Sequence, residues 1–206
     1  MWWQQRFNEF VTLFLVINPF AVLPTFLEIV ATLDARAQRR LALAATVIAF
    51  AVLVFFIFAG AFLLERMGIS FRAFQMSGGI LMFLVALDMI RGQTHAPVSG
   101  SEQGHLAGAV YPLAIPKIAG PGAMLVVVVL TDDDRMNLLG QLSTVGVLAG
   151  VMVVQFIILL AARPITWFIG IAGVSVASRV MGMLLAALAV TMVVSAVGDW
   201  LNLPQL

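Results

Sequence analysis

Ile115-Pro116-Lys117-Ile118-Ala119-Gly120-Pro121-Gly122 sits inside an apolar stretch that runs from Glu102 to Asp132 with Lys117 as its sole charge. A stretch of that length suits a membrane-crossing helix, since about 20 apolar residues span roughly 30 Å of hydrocarbon. These residues do not suit an unbroken helix. Pro116 and Pro121 each delete a backbone donor, while Gly120 and Gly122 lower the cost of leaving helical angles. The expectation is a helix interrupted near the bilayer centre. Pro19-Phe20-Ala21-Val22-Leu23-Pro24 has the same Pro-x4-Pro spacing 97 positions earlier. Gly79-Ile80-Leu81-Met82 through Met89 is echoed by Gly182-Met183-Leu184-Leu185 through Met192, 103 positions later.

The composition agrees with lipid as the solvent. Of 206 residues 62% are hydrophobic and 10% charged, and the mean hydropathy is +1.08, more apolar than a water-soluble domain sustains. The balance of 11 basic and 10 acidic residues supplies no positive field for nucleic acid, which is excluded as a partner. Without cysteine there is no disulfide, thiolate metal site or cysteine nucleophile. Charges punctuate what remains: none occurs between Glu9 and Glu28, Arg40 and Glu65, Arg135 and Arg163, or Arg179 and Asp199. Asp88 alone interrupts the stretch from Arg72 to Arg91.

Six helices are therefore expected, near 7–33, 40–64, 71–91, 108–131, 138–162 and 178–200. The first holds Pro19 and Pro24 and no small-residue cleavage site before Asp34, so it is expected to stay in the mature protein. The fold class expected is all-α, a polytopic membrane protein with six transmembrane helices as two inverted three-helix repeats, the first and fourth helices discontinuous. The chain is expected to form a single transmembrane domain over 1–206, with repeats at 1–91 and 107–206 and a polar linker at 92–106. Arg6, Arg66, Arg72 and Arg135 fall on the side of the termini, against Arg36, Arg39, Arg40, Arg91, Arg163 and Arg179 opposite, which favours termini outside.

Interrupted helices at matching places in inverted halves point to a transporter's midplane binding site. The first half of such a helix ends in free carbonyls, and the second begins with free N–H groups. Pro24 and Pro121 suit the first position of the second halves, so the N–H groups around Thr25 to Leu27 and Gly122 to Met124 are candidates to hold a carboxylate. Carbonyls around Ile17–Asn18 and Ile115–Pro116 are candidates for an ammonium, so a small zwitterion fits the layout. The Asn18 amide has two uses, satisfying orphaned backbone or reaching the ligand. Lys117 carries a charge where insertion costs about 2.5–3.5 kcal/mol, which marks it as functional by default. It meets a substrate carboxylate or replaces a coupling cation; otherwise it snorkels into a vestibule or pairs with Glu28 or Asp88.

Asp88 reads as an interfacial partner of Arg91 or as a proton-coupling carboxylate, and Glu28 is similarly ambiguous, so both are candidates for coupling to H+ or Na+. Ser77 and Gly78 open the third helix, where packing is the default and ligand contact the alternative. Asp132, Asp133 and Asp134 read as a solvated loop. His95 and His105 lack a partner at ligand spacing, so no metal site and no cofactor are expected. Gly146 and Gly150 form a small-xxx-small pair suited to a homo-oligomer face. No nucleophile–base constellation marks an enzyme, and no Gly-x4-Gly-Lys loop marks an ATPase.

Ile17-Asn18-Pro19-Phe20-Ala21-Val22-Leu23-Pro24-Thr25-Phe26, Ser77-Gly78-Gly79 through Asp88-Met89, and Tyr111-Pro112 through Gly122-Ala123 together resemble the MarC family (UPF0056-type) of six-helix inner-membrane proteins. Arg179-Val180-Met181-Gly182 through Ala189 resembles it too, so the likeness spans nearly the whole chain. The resemblance implies a multi-pass protein of a bacterial or archaeal inner membrane, with periplasmic termini on the charge count above. It implies a transporter of small neutral amino acids such as glycine and alanine, whose two Pro motifs form discontinuous helices around the substrate. The site set is then Asn18, Pro19, Pro24, Thr25, Ser77, Gly78, Pro116, Lys117, Gly120, Pro121 and Gly122. Lys117 departs from the family, which usually has an apolar residue there. The alternative function is export of other small metabolites or drugs, as the family's association with multiple antibiotic resistance suggests.

Overall fold

A computed structural model describes residues 2–31, 33–92, 109–131 and 138–201, and the ordered elements among them are all helical. They are α1 (Trp2–Ile17), α2 (Pro19–Ile29), α3 (Ala35–Arg66), α4 (Phe71–Arg91), the irregular α5 (Ala109–Ile118), α6 (Pro121–Leu130), α7 (Leu138–Leu160) and α8 (Ala162–Trp200). Five stretches among the described residues are long and apolar enough to cross a membrane: Trp3–Ile29, Ala35–Arg66, Phe71–Arg91, Leu138–Leu160 and Ala172–Trp200. The α5–α6 region is two short pieces instead, of which α6 has 10 residues.

Several helices begin earlier than charge punctuation predicts, because charges mark where lipid starts and not where helical hydrogen bonding starts. Asp34 caps α3, its Oδ1 accepting from the Ala37 N–H at 3.1 Å, so Arg36, Arg39 and Arg40 form the opening turns of that helix. Ser70 caps α4 in the same way, accepting from the Ala73 N–H at 3.2 Å. Glycine at φ 71° (Gly92) ends α4, with its N–H directed to the Asp88 and Met89 carbonyls. Helix α8 starts at Ala162 rather than near 178, and Gly170 (φ 69°, ψ 170°) separates a short leading segment from the long span. Trp167 and Phe168 stand exposed on that segment, as aromatic side chains do at a headgroup boundary.

Small residues line part of the inner face of α3. Ala42, Ala45 and Ala49 on α3 are fully buried, while Phe55, Phe58 and Phe62 on the same helix face outward. Small residues inside and large apolar ones outside is the arrangement that lets helices approach closely in lipid. Gly60 meets Val128 and Gly78 meets Leu125, so that α3 and α4 both lie tight against α6.

Corresponding features recur at a constant displacement. Asn18 and Gly120 are N-caps 102 residues apart, and each is followed by Pro at the first helical position. The left-handed glycines Gly68 and Gly170 are also 102 apart. Packing follows the same rule: α1 lies on α7 as α5 lies on α3, and α2 lies on α8 as α6 lies on α4. Between α4 and α8, Gly79 abuts Ala189 and Val193, while Gly182 abuts Ala86 and Ile90. Displacing either set by 103 gives the other with the helices exchanged, and the two helices run antiparallel. The displacement of 97 read from the Pro-x4-Pro pairs is thereby replaced by 102.

Candidate functional site

The first interruption is made by one residue. Asn18 takes left-handed angles (φ 46°, ψ 77°), which asparagine tolerates better than other non-glycine residues. Its N–H ends α1 by donating to the Phe14 carbonyl at 3.0 Å, and its Oδ1 starts α2 by accepting from the Ala21 N–H at 3.2 Å. The second half-helix therefore opens at the buried Pro19, and Pro24 lies inside it. This corrects the placement of the anion-holding N–H groups at Thr25 to Leu27, which fall within α2 and not at its start. The signal was present in the sequence: Asn before Pro is an N-cap followed by a first helical position. Both prolines free carbonyls, because Pro19 offers no N–H to Leu15 and Pro24 none to Phe20.

The second interruption spans more chain. Tyr111 (φ −131°, ψ 129°) and Ile115 (φ −127°, ψ 124°) are extended within α5, and the Ala119 N–H returns to the Ala114 carbonyl at 2.8 Å. Gly120 is the N-cap of α6 and supplies no side-chain hydrogen bond, so the N–H groups of Gly122 and Ala123 remain for whatever enters the break. A Cβ on Gly120 would stand 2.7 Å from the Pro116 carbonyl oxygen, and one on Gly122 would stand 2.8 Å from Met82 Cγ. Val16 Cγ1 lies 3.6 Å from the same Gly122 position, so the first turn of α6 meets the last turn of α1 and the two breaks lie side by side.

Around them the predicted residues separate into two groups. Asn18 reaches across to α4, its Nδ2 donating to Met89 Sδ at 3.7 Å, so the amide has both a backbone and an inter-helix role. Lys117 is half-buried on α5, and Glu28 is exposed near the end of α2. Pro116 and Pro121 are exposed edges of the second break. Thr25 is half-buried inside α2. Ser77 is exposed and donates to the Phe74 carbonyl at 2.9 Å, and Gly78 serves packing against α6. Asp88 is half-buried on the last turn of α4, next to Met89. His95, His105, Asp132, Asp133 and Asp134 lie outside the described residues.

Two buried polar features were not singled out from the sequence. Arg6 Nη1 donates to Glu9 Oε2 at 2.8 Å and to Thr144 Oγ1 at 3.2 Å, which ties α1 to α7 through a buried ion pair. The opposite charges three residues apart are the signal in the sequence, but charge punctuation alone places them outside lipid. The other is Gln155, fully buried on α7.

A family model described as MarC family integral membrane protein matches residues 3–201. A UPF0056 membrane protein of Methanocaldococcus jannaschii is 31% identical over 198 residues, covering 91% of this chain and 93% of its own. One from Aquifex aeolicus is 30% identical over 217 residues, covering 97% and 98%. The UPF0056 inner membrane protein YhgN of Escherichia coli is 30% identical over 195 residues, covering 93% and 95%. No solved structure matches the chain. With the match running from the start of α1 to the end of α8 and across both breaks, the chain belongs to the MarC family of integral membrane proteins.

Proposed function

We propose that this protein is a secondary transporter of small neutral amino acids such as glycine or alanine, working by alternating access between two inverted three-helix units, and not an enzyme. The observation that carries the reading is the meeting of the two breaks, with the uncapped start of α6 against the end of α1. With 11 and 10 residues, α2 and α6 are each about 15 Å long, half of a bilayer's hydrocarbon, which supports breaks near the midplane. The exchange symmetry of the α4–α8 seam supports units related by a two-fold axis in the membrane plane. A zwitterion uses both backbone poles: its carboxylate takes the Gly122 and Ala123 N–H groups, and its ammonium takes carbonyls freed by Pro19 and Pro24. No nucleotide loop of the Gly-x4-Gly-Lys kind is present in the sequence, so a gradient or the substrate itself supplies the energy, with Glu28 and Asp88 as candidate groups for coupling to H+ or Na+.

Calorimetric titration of purified protein with glycine, alanine, serine and threonine tests this, beside Gly120→Leu and Lys117→Leu. The expected result is saturable binding that Gly120→Leu abolishes, because its side chain meets the Pro116 backbone. Lys117→Leu is expected to retain binding but change uptake between pH 5 and 8. Silence with all four amino acids in a folded, monodisperse sample would move the reading to a different small metabolite.

A further inference from the structure

Gln155 on α7 has no exposed surface, and neither Oε1 nor Nε2 has a hydrogen-bond partner. A buried primary amide normally finds one, because burying its donors and acceptor unpaired is costly. On α7 the inward stripe is Gln141, Thr144, Leu148, Val151, Gln155 and Leu159, so an apolar residue at 155 would continue the pattern its neighbours set.

The depth and direction of Gln155 follow from contacts nearby. Arg6 meets Thr144, and Gly150 lies against Phe10, so α1 and α7 run in the same direction. Eleven residues beyond Thr144 is Gln155, and eleven beyond Arg6 is Ile17, the residue before the Asn18 turn. Eleven residues make about three helical turns, which returns each side chain to within roughly 20° of the face it started from. Gln155 thus lies on the face of α7 that carries Thr144, level within one turn with the first break. The freed carbonyls of Leu15 and Phe20 flank that break. This end of the site is rich in acceptors, whereas the uncapped start of α6 offers donors.

We propose that Gln155 is a substrate-binding residue whose Oε1 accepts from the substrate's ammonium group, alongside the carbonyls of the first break, while the carboxylate sits at the start of α6. The assignment rests on the amino acid transport reading and adds an orientation to it. The amide also becomes the means of telling an amino acid from a carboxylic acid of the same size.

Alanine and propionate, which lacks the ammonium, are titrated against wild-type and Gln155→Met protein, with thermal unfolding of both. The expected result is an alanine affinity about tenfold weaker in the variant, the loss of one hydrogen bond to a charged group, with propionate affinity unchanged. Unfolding temperature should hold or rise, because an unpaired amide has been replaced by an apolar chain of similar length. Equal weakening of both ligands, or no weakening of either, overturns the assignment and leaves Gln155 a structural residue. If the wild type binds no amino acid at all, the transport reading falls first and this assignment falls with it.

Discussion

Asn18 and Gly120 solve the same problem with different chemistry. Each ends one helix and begins another, but asparagine closes the gap with its own side chain, whereas glycine leaves it open. Asn18→Ala loses the cap and the short polar side chain that makes left-handed angles tolerable, a combined destabilisation of about 2–3 kcal/mol. Asn18→Gly keeps the angles available and should cost about 0.5 kcal/mol. Thermal unfolding in detergent separates the two, and equal losses would mean that the turn angle contributes nothing. Gly120 was legible from sequence as a break because two prolines flank it. The role of Asn18 was only half legible, since Pro19 and Pro24 each fit a first helical position until the cap bond to Ala21 decides between them.

At the scale of elements, α4 and α8 form the seam that joins the halves. Gly79 and Gly182 are there because a Cβ at 79 would come within 3.0 Å of the Ala189 carbonyl oxygen, and one at 182 within 3.2 Å of the Ala86 carbonyl oxygen. Gly79→Leu and Gly182→Leu should each destabilise by about 1–3 kcal/mol through forced separation of the helices. The double variant should lose less than the sum, because one displacement relieves both clashes, and a double-mutant cycle of unfolding free energies measures the difference. The sequence announced this seam through the stretch from Gly79 to Met89 and its echo from Gly182 to Met192. It concealed the buried Arg6–Glu9 pair, because a charge marks lipid's edge only where no partner inside the bundle receives it.

The whole molecule is legible to the extent that hydropathy dictates it. Spans emerge from composition because no water is available to satisfy exposed backbone in lipid. Helix ends do not, since caps and the arginine-rich opening turns of α3 lie beyond the apolar core. The symmetric packing predicts that α1 starts and α3 starts on opposite faces of the membrane. The chain has no cysteine, so Gln4→Cys and Ala35→Cys each provide a single labelling site at an exposed position. A membrane-impermeant maleimide applied to intact cells should label the first and spare the second. The reverse pattern would put the termini in the cytoplasm, and labelling of both would dismiss the six-span threading.

Lys117, half-buried beside the second break, has an electrical consequence. A zwitterion carries no net charge, so its passage alone leaves the membrane potential untouched. A fixed lysine that shifts with the break does not, since moving one elementary charge through 100 mV involves about 2.3 kcal/mol. Protein in vesicles adsorbed on an electrode should therefore answer a jump in alanine concentration with a transient current, and Lys117→Leu should reduce it to the part carried by a coupled H+ or Na+. A wild-type protein that gave no transient would have a stationary lysine, and a voltage across the membrane would then leave the resting balance between its two faces unchanged.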